Sequence, residues 1–144
     1  MKSANEIANA FLRLNDPDLD GLTNLKIQKL LYYVQGFHLA MYDKPIFEEK
    51  IMAWEHGPVV PEIYHRFKHL GSNIIPAESR MKIPKLTKKE MELIIEVNDI
   101  YGQFSAWKLR NMTHEETPWK ETKLSREITE TKLKRYFTEL LIEE

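Results

Sequence analysis

The amino-acid sequence predicts a mainly α fold: a compact bundle of about six helices around a central helix, with a small two- or three-stranded β element. Three observations predict it. The segment from Asn24 to Met41 is apolar on most of its sides, which places a helix at the centre of a fold rather than on its surface. Two S/T-x-x-E capping boxes, Ser3 with Glu6 and Thr87 with Glu90, open helices whose apolar residues then recur at helical spacing. Between them, Phe47 to Glu55 alternates Ile51 and Ala53 with Met52 and Trp54, as a short strand does.

Taken in order, the first helix carries Ile7, Ala10, Phe11 and Leu14 and stops near Asn15, where Asp16-Pro17-Asp18 is turn chemistry. Residues 15 to 22 read as a loop. Thr23 or Asn24 caps the central helix. Its main face is Ile27, Leu30, Leu31, Val34, His38 and Met41, and Leu25, Tyr32 and Leu39 add a second. Asp43-Lys44-Pro45 ends it. Gly57-Pro58 is a breaker after the extended segment, and Pro61 suits the first turn of a helix carrying Ile63, Phe67 and Leu70, with Gly71 just past its end. Residues 72 to 86 are irregular, with Met81-Lys82-Ile83 as a second short strand pairing with the first. After Thr87, Met91, Ile94, Val97, Tyr101 and Phe104 mark the next helix, and Ser105 caps another carrying Leu109 and Met112. Residues 113 to 127 form a structured connection containing Thr117-Pro118-Trp119. The last helix starts near Glu130, with Leu133, Tyr136, Phe137, Leu140 and Leu141 on one side. No repeat or long linker divides the chain, so residues 1–144 are expected to be a single domain.

Composition narrows the function. With 144 residues, 42% hydrophobic and 30% charged, the chain can bury a core without disulfides or a structural metal. It has no cysteine, which excludes disulfide scaffolds, thiolate metal sites and thiol nucleophiles, and points to a reducing compartment. No signal-peptide pattern and no membrane-spanning stretch is visible, so a cytoplasmic location is expected. The net charge of −1 argues against a nucleic-acid binder. The local exception is the acid-free run from Arg80 to Lys89, with Lys82, Lys85 and Lys88. It could meet phosphate, blunt a strand edge, or steer an acidic protein partner; interleaved aromatics and a recognised nucleic-acid motif are missing.

Three histidine contexts could carry chemistry. In Trp54-Glu55-His56-Gly57-Pro58-Val59-Val60-Pro61, a glutamate beside a histidine could poise a general base. Neighbouring side chains on a strand point to opposite faces, however, which favours a strand end turned into a helix start, with Gly57 supplying the unusual dihedrals. His65 and His69 have the i, i+4 spacing of metal ligands, but a third ligand is missing and Arg66 and Lys68 would repel a cation; a solvated face is favoured. His114, in Thr113-His114-Glu115-Glu116-Thr117-Pro118-Trp119, could be a base, and is better read as a hydrogen-bonding group that fixes its loop. Five glycines, none closely spaced, leave no phosphate cradle, and no cofactor is expected.

Two segments resemble a known family. One is Thr23-Asn24-Leu25-Lys26-Ile27-Gln28-Lys29-Leu30-Leu31-Tyr32-Tyr33-Val34-Gln35-Gly36-Phe37-His38-Leu39-Ala40, followed by Ala53-Trp54-Glu55-His56-Gly57-Pro58-Val59-Val60-Pro61-Glu62-Ile63-Tyr64. The other is the Ser105 to Leu109 helix with Thr113-His114 and Pro118-Trp119. Together they resemble the Panacea, or SocA-like, antitoxin domain, also found in phage-associated proteins. The resemblance implies a non-enzymatic role: binding and neutralising a protein toxin encoded by an adjacent gene. The toxins of such a family vary, from alarmone-synthetase-like enzymes to membrane-acting proteins, and one branch hands its toxin to a ClpXP-type protease as an adaptor. The implied partners are thus a toxin and, in the alternative, that protease. A histidine-dependent enzyme using His56 or His114 is the competing reading.

The matching motifs are dense in Trp, Tyr, Gly and Pro and look like fold determinants. Partner choice is then expected on less patterned surfaces: residues 72 to 89, the 15 to 22 loop and 120 to 144. A shared surface is the other expectation. Tyr33, Gly36, His56, Pro58, Tyr64, His114 and Trp119 could converge around a small cleft that takes an anchor from a partner. The alternative is that they are core and caps.

Overall fold

The computed structural model describes residues 1–77 and 85–143. Its elements run α1 (Ala4–Leu14), α2 (Asn24–Tyr42), β1 (Ile51–Trp54), β2 (Gly57–Val59), α3 (Pro61–Phe67), α4 (Lys88–Tyr101), α5 (Ala106–His114), α6 (Thr117–Lys120), β3 (Glu127–Ile128) and α7 (Glu130–Glu143). One turn of 3₁₀ helix, Lys68–Leu70, extends α3 to Gly71, which takes a left-handed φ of 58°. The mainly α class and the small sheet agree with the sequence.

Local chemistry sets the helix starts. Ser3 and Glu6 form their capping box at α1, as do Thr87 and Glu90 at α4. Thr23 is the cap of α2, its hydroxyl accepting from the Lys26 amide at 3.2 Å, and Ser105 caps α5 through the Lys108 amide at 3.0 Å. Asp43 closes α2 in the left-handed region, donating its N–H to the Leu39 carbonyl.

α2 is the axis of the fold. Every residue from Ile27 to Leu39 is buried, and α1, α3, α4, α5 and α7 all pack on it. Along α7, Leu133 and Phe137 enter the core; Phe137 meets Tyr32, Tyr33 and Phe37 edge-on. Such rings provide the largest apolar burial per residue, roughly 150–250 Å² each. Two expected core positions are outside it: Met41 is 45% exposed and Leu14 40%, because each lies in the last turn of its helix, beyond the neighbouring elements.

A helix buried on all sides must also satisfy the polar groups it carries. Gln35 accepts from the Ile46 amide at 2.8 Å and donates to the Phe47 carbonyl at 2.9 Å. Gln28 accepts from the Val60 amide at 2.8 Å and donates to Asn24, which donates to the Tyr64 carbonyl at 3.1 Å. His38 bonds the Lys44 carbonyl at 2.6 Å. One face of α2 thus answers backbone groups at Lys44, Ile46 and Phe47 before the hairpin and at Val60 and Tyr64 after it.

The sheet differs from expectation in how it is built. Gly57-Pro58 does not break the chain but begins β2, which pairs antiparallel with β1 in the register Met52↔Val59, Ala53↔Pro58, Trp54↔Gly57. Pro58 is tolerated because the order β2-β1-β3 puts it on an edge strand, where a missing N–H costs little. The third strand, Glu127–Ile128, begins at the last residue of the segment expected to be a connection, which also holds the short helix α6. The strand expected at Met81-Lys82-Ile83 lies outside the described residues.

Candidate functional site

The β1–β2 hairpin turns through Glu55 and His56, and this tip organises one end of the molecule. Gly57 follows with φ +111°, a region L-residues rarely adopt. A Cβ there would lie 2.7 Å from Lys29 Cε and 2.9 Å from Thr113 Oγ1, so the glycine is required by space as well as by backbone. Lys29, on α2, is wholly buried beneath it and donates to the Pro58 carbonyl at 3.2 Å. Burial, reinforced by the positive charge of Arg110, pushes its ammonium down to about 7.

Between the hairpin, the start of α2, α3 and the start of α5 lies a groove of about 670 Å³. Trp54, Tyr64, Leu25 and Trp107 form its apolar walls, with Trp54 and Tyr64 edge-to-face at 5.1 Å. Lys29 and Gln28 are at its floor, and Lys68, His56 and Glu55 line it as well. Trp107 is 55% exposed, an unusual position for an indole. Arg110 stacks its guanidinium over Trp107 at 4.4 Å and donates through Nε to His56 Nδ1 at 3.3 Å.

Behind the hairpin, His114 lies flat against Trp119, their rings 3.9 Å apart and 8° from parallel. Trp119 donates its indole N–H to the Trp54 carbonyl at 2.8 Å, and His114 bonds the Glu55 backbone. Desolvation first, then the charge of Arg110, holds the His114 imidazole below its usual range. Its Nε2 is buried without a hydrogen-bond partner among the described residues. Deeper still, Glu116 accepts from Tyr32 at 2.8 Å and Tyr33 at 2.9 Å. Burial raises its carboxyl to about 7 against the opposing pull of Tyr32, Tyr33 and Tyr136, and raises both Tyr32 and Tyr33.

The sequence-predicted residues therefore separate into three groups. His56 and Tyr64 line the groove, with Pro58, His114 and Trp119 fixing the hairpin that forms it. Tyr33 and Gly36 are core residues: Tyr33 stacks on Tyr101 at 3.8 Å, and a Cβ on Gly36 would overlap the Phe137 ring. Both are buried and offer a partner no surface. Lys85 and Lys88 are exposed, Lys88 at the start of α4 beside His38 and Tyr42, the opposite end of α2 from the groove. Lys82 lies outside the described residues. His56 accepts from Arg110 at Nδ1, and Glu55 and His56 are the two turn residues of the hairpin rather than successive strand residues. Lys29, Trp107, Arg110 and Glu116 escaped sequence reasoning. The signal for Lys29 was its place inside a helix apolar on most sides, which leaves a lysine little chance of reaching water. Among the described residues no cluster of His, Asp and Glu could hold a metal ion, and no helix is long and apolar enough to cross a membrane.

Comparison with known proteins locates this architecture. Residues 27–120, from the first turn of α2 to the end of α6, match the family described as antitoxin SocA-like, Panacea domain. Antitoxin SocA of Caulobacter vibrioides (strain NA1000 / CB15N) is 37% identical over 54 residues, which is 38% of this chain and 29% of that protein. No solved structure matches.

Proposed function

On the premise that the chain belongs to the SocA-like, Panacea-domain antitoxin family, we propose that it neutralises a protein toxin, encoded by an adjacent gene, by binding it directly in the cytoplasm. The observation that carries this reading is the extent of the match, which takes in most of the central helix, the hairpin and α5, and with them most of the groove's lining. An exposed indole at the rim of an apolar groove is the kind of anchor point that protein interfaces use, where a few aromatic contacts carry most of the affinity. Membership in an antitoxin family supports a non-catalytic role, and the contacts that tie His114 to Trp119 and to the Glu55 backbone support its being structural.

Co-expression with the product of the adjacent open reading frame tests the reading. The neighbour should arrest growth alone, be harmless beside this protein, and co-purify with it. A neighbour that is harmless alone, or that remains toxic in the presence of the protein, refutes it. Relief of toxicity with disappearance of the neighbour would favour the adaptor alternative, in which a ClpXP-type protease removes the toxin. Charge reversal of Lys85 and Lys88 is expected to weaken neutralisation if the basic edge joins the interface; unchanged neutralisation removes that edge.

A further inference from the structure

The groove gathers more cationic than acidic side chains. Lys29 is at its floor and Lys68 and His56 line it, with Arg110 directly behind His56. None of the three cations, Lys29, Lys68 and Arg110, makes an ion pair with a carboxylate among the described residues, where the ion pairs are Lys2–Glu90, Lys50–Glu127 and Lys134–Asp43, and His56, accepting from Arg110 at Nδ1, keeps Nε2 as a donor. The one carboxylate lining the groove, Glu55, is exposed at the hairpin tip. The groove also receives the first residues of α2 and α5, and both helices direct the positive end of their backbone dipoles there. A fully buried lysine answered only by a carbonyl is costly unless an anion approaches it.

The geometry points to a receptor for an acidic side chain of a protein partner: an Asp or Glu carboxylate seated among His56, Lys68 and the buried charge of Lys29, with an adjacent aromatic or branched aliphatic residue between Trp54, Tyr64 and Trp107. Lys29 has no exposed surface, so the carboxylate meets it through the groove floor, where the low dielectric strengthens the attraction. The apolar walls suit a single charge carried on an apolar segment better than a bare phosphate, which would leave Trp54, Tyr64 and Trp107 uncovered. The assignment rests on the direct-binding reading above and specifies what the partner must present. The groups facing Lys29 and the groove are Arg110 and His114 from α5, His56 and Glu55 from the hairpin, and Lys68 after α3.

Selection of a phage-displayed random dodecamer library on the immobilised full-length protein tests this. The enriched peptides should carry Asp or Glu next to an aromatic or aliphatic residue. Changing that acid to its amide should weaken binding at least about ten-fold, as loss of a desolvated charge pair does. Peptide binding should raise the Lys29 titration, followed by NMR of ¹³Cε-labelled lysine. Lys29→Met should weaken the same peptide without lowering Tm, and Trp107→Ala should weaken it independently. Absence of enrichment, an acid-to-amide change that costs less than about two-fold, an unmoved Lys29 titration, or competition by inorganic phosphate at the peptide's own potency would overturn the assignment. Toxin neutralisation by wild type and by Lys29→Met keeps the two readings apart: full neutralisation by the variant sinks the groove while sparing the antitoxin, and a wild type that fails to neutralise does the reverse.

Discussion

Lys29 is wholly buried in α2 and Glu116 half-buried against it, and desolvation moves them in opposite senses along the pH scale. Glu116 is raised from 4.5 to about 7. Between those values the folded state holds a proton that the unfolded chain has released, so this group makes stability fall as pH rises from about 4.5 to 7. Lys29 is lowered from 10.5 to about 7. Above 7 the unfolded chain holds the extra proton, so stability rises from about pH 7 to 10.5. The two limbs meet in a trough near neutrality. Subtracting the Tm–pH curve of Glu116→Gln from that of wild type should isolate the acid limb, and Lys29→Met the alkaline limb. A difference curve flat across either window would show that the corresponding group keeps its ordinary titration. The acid limb was not legible in the sequence, since Glu116 is covered by tyrosines distant in the chain; the alkaline limb was signalled by the place of Lys29 in a helix apolar on most sides.

Among the elements, α2 shows how far sequence reading reaches. Its apolar periodicity fixed its place, and Thr23 and Asp43 its ends, because these are local signals. The hairpin was only half legible. Ile51 to Trp54 alternate visibly, but Pro58 hides β2, since only the sheet order shows that its strand is an edge. Glu127–Ile128 is too short to carry a pattern and becomes a strand through pairing with Ile51 and Met52. The groove was legible through His56 and Tyr64, and not through Trp107 or Arg110, which join it by tertiary packing. The service that α2 performs for residues 44–64 can be measured. Gln35→Leu strips the Ile46 amide of its buried acceptor and the Phe47 carbonyl of its donor. Denaturant unfolding should show a loss of roughly 2–4 kcal/mol, two unsatisfied groups at about 1–3 kcal/mol each partly offset by the apolar replacement. A loss below about 0.5 kcal/mol, the usual scale of surface substitutions, would mean that water replaces both bonds.

At the scale of the whole molecule, the last helix closes what the second opens. Phe137 lies against Tyr32, Tyr33, Phe37 and the bare face of Gly36. Phe137→Ala should cost roughly 3–5 kcal/mol in equilibrium unfolding, the range for a buried ring removed from a tight core. An effect under about 1 kcal/mol would show that α7 contributes little to the packing around α2. The same long axis separates the groove, at the Asn24 end, from the lysines beside Tyr42, some ~27 Å away at 1.5 Å per helical residue. That separation has an optical consequence. All three tryptophans of the chain, Trp54, Trp107 and Trp119, are gathered at the groove end, two in its walls and one bonded to the first through its backbone. The protein's intrinsic ultraviolet emission is therefore a label already in place. A guest that covers Trp107 shifts that emission to shorter wavelength, while an encounter confined to the far lysines leaves the spectrum unchanged.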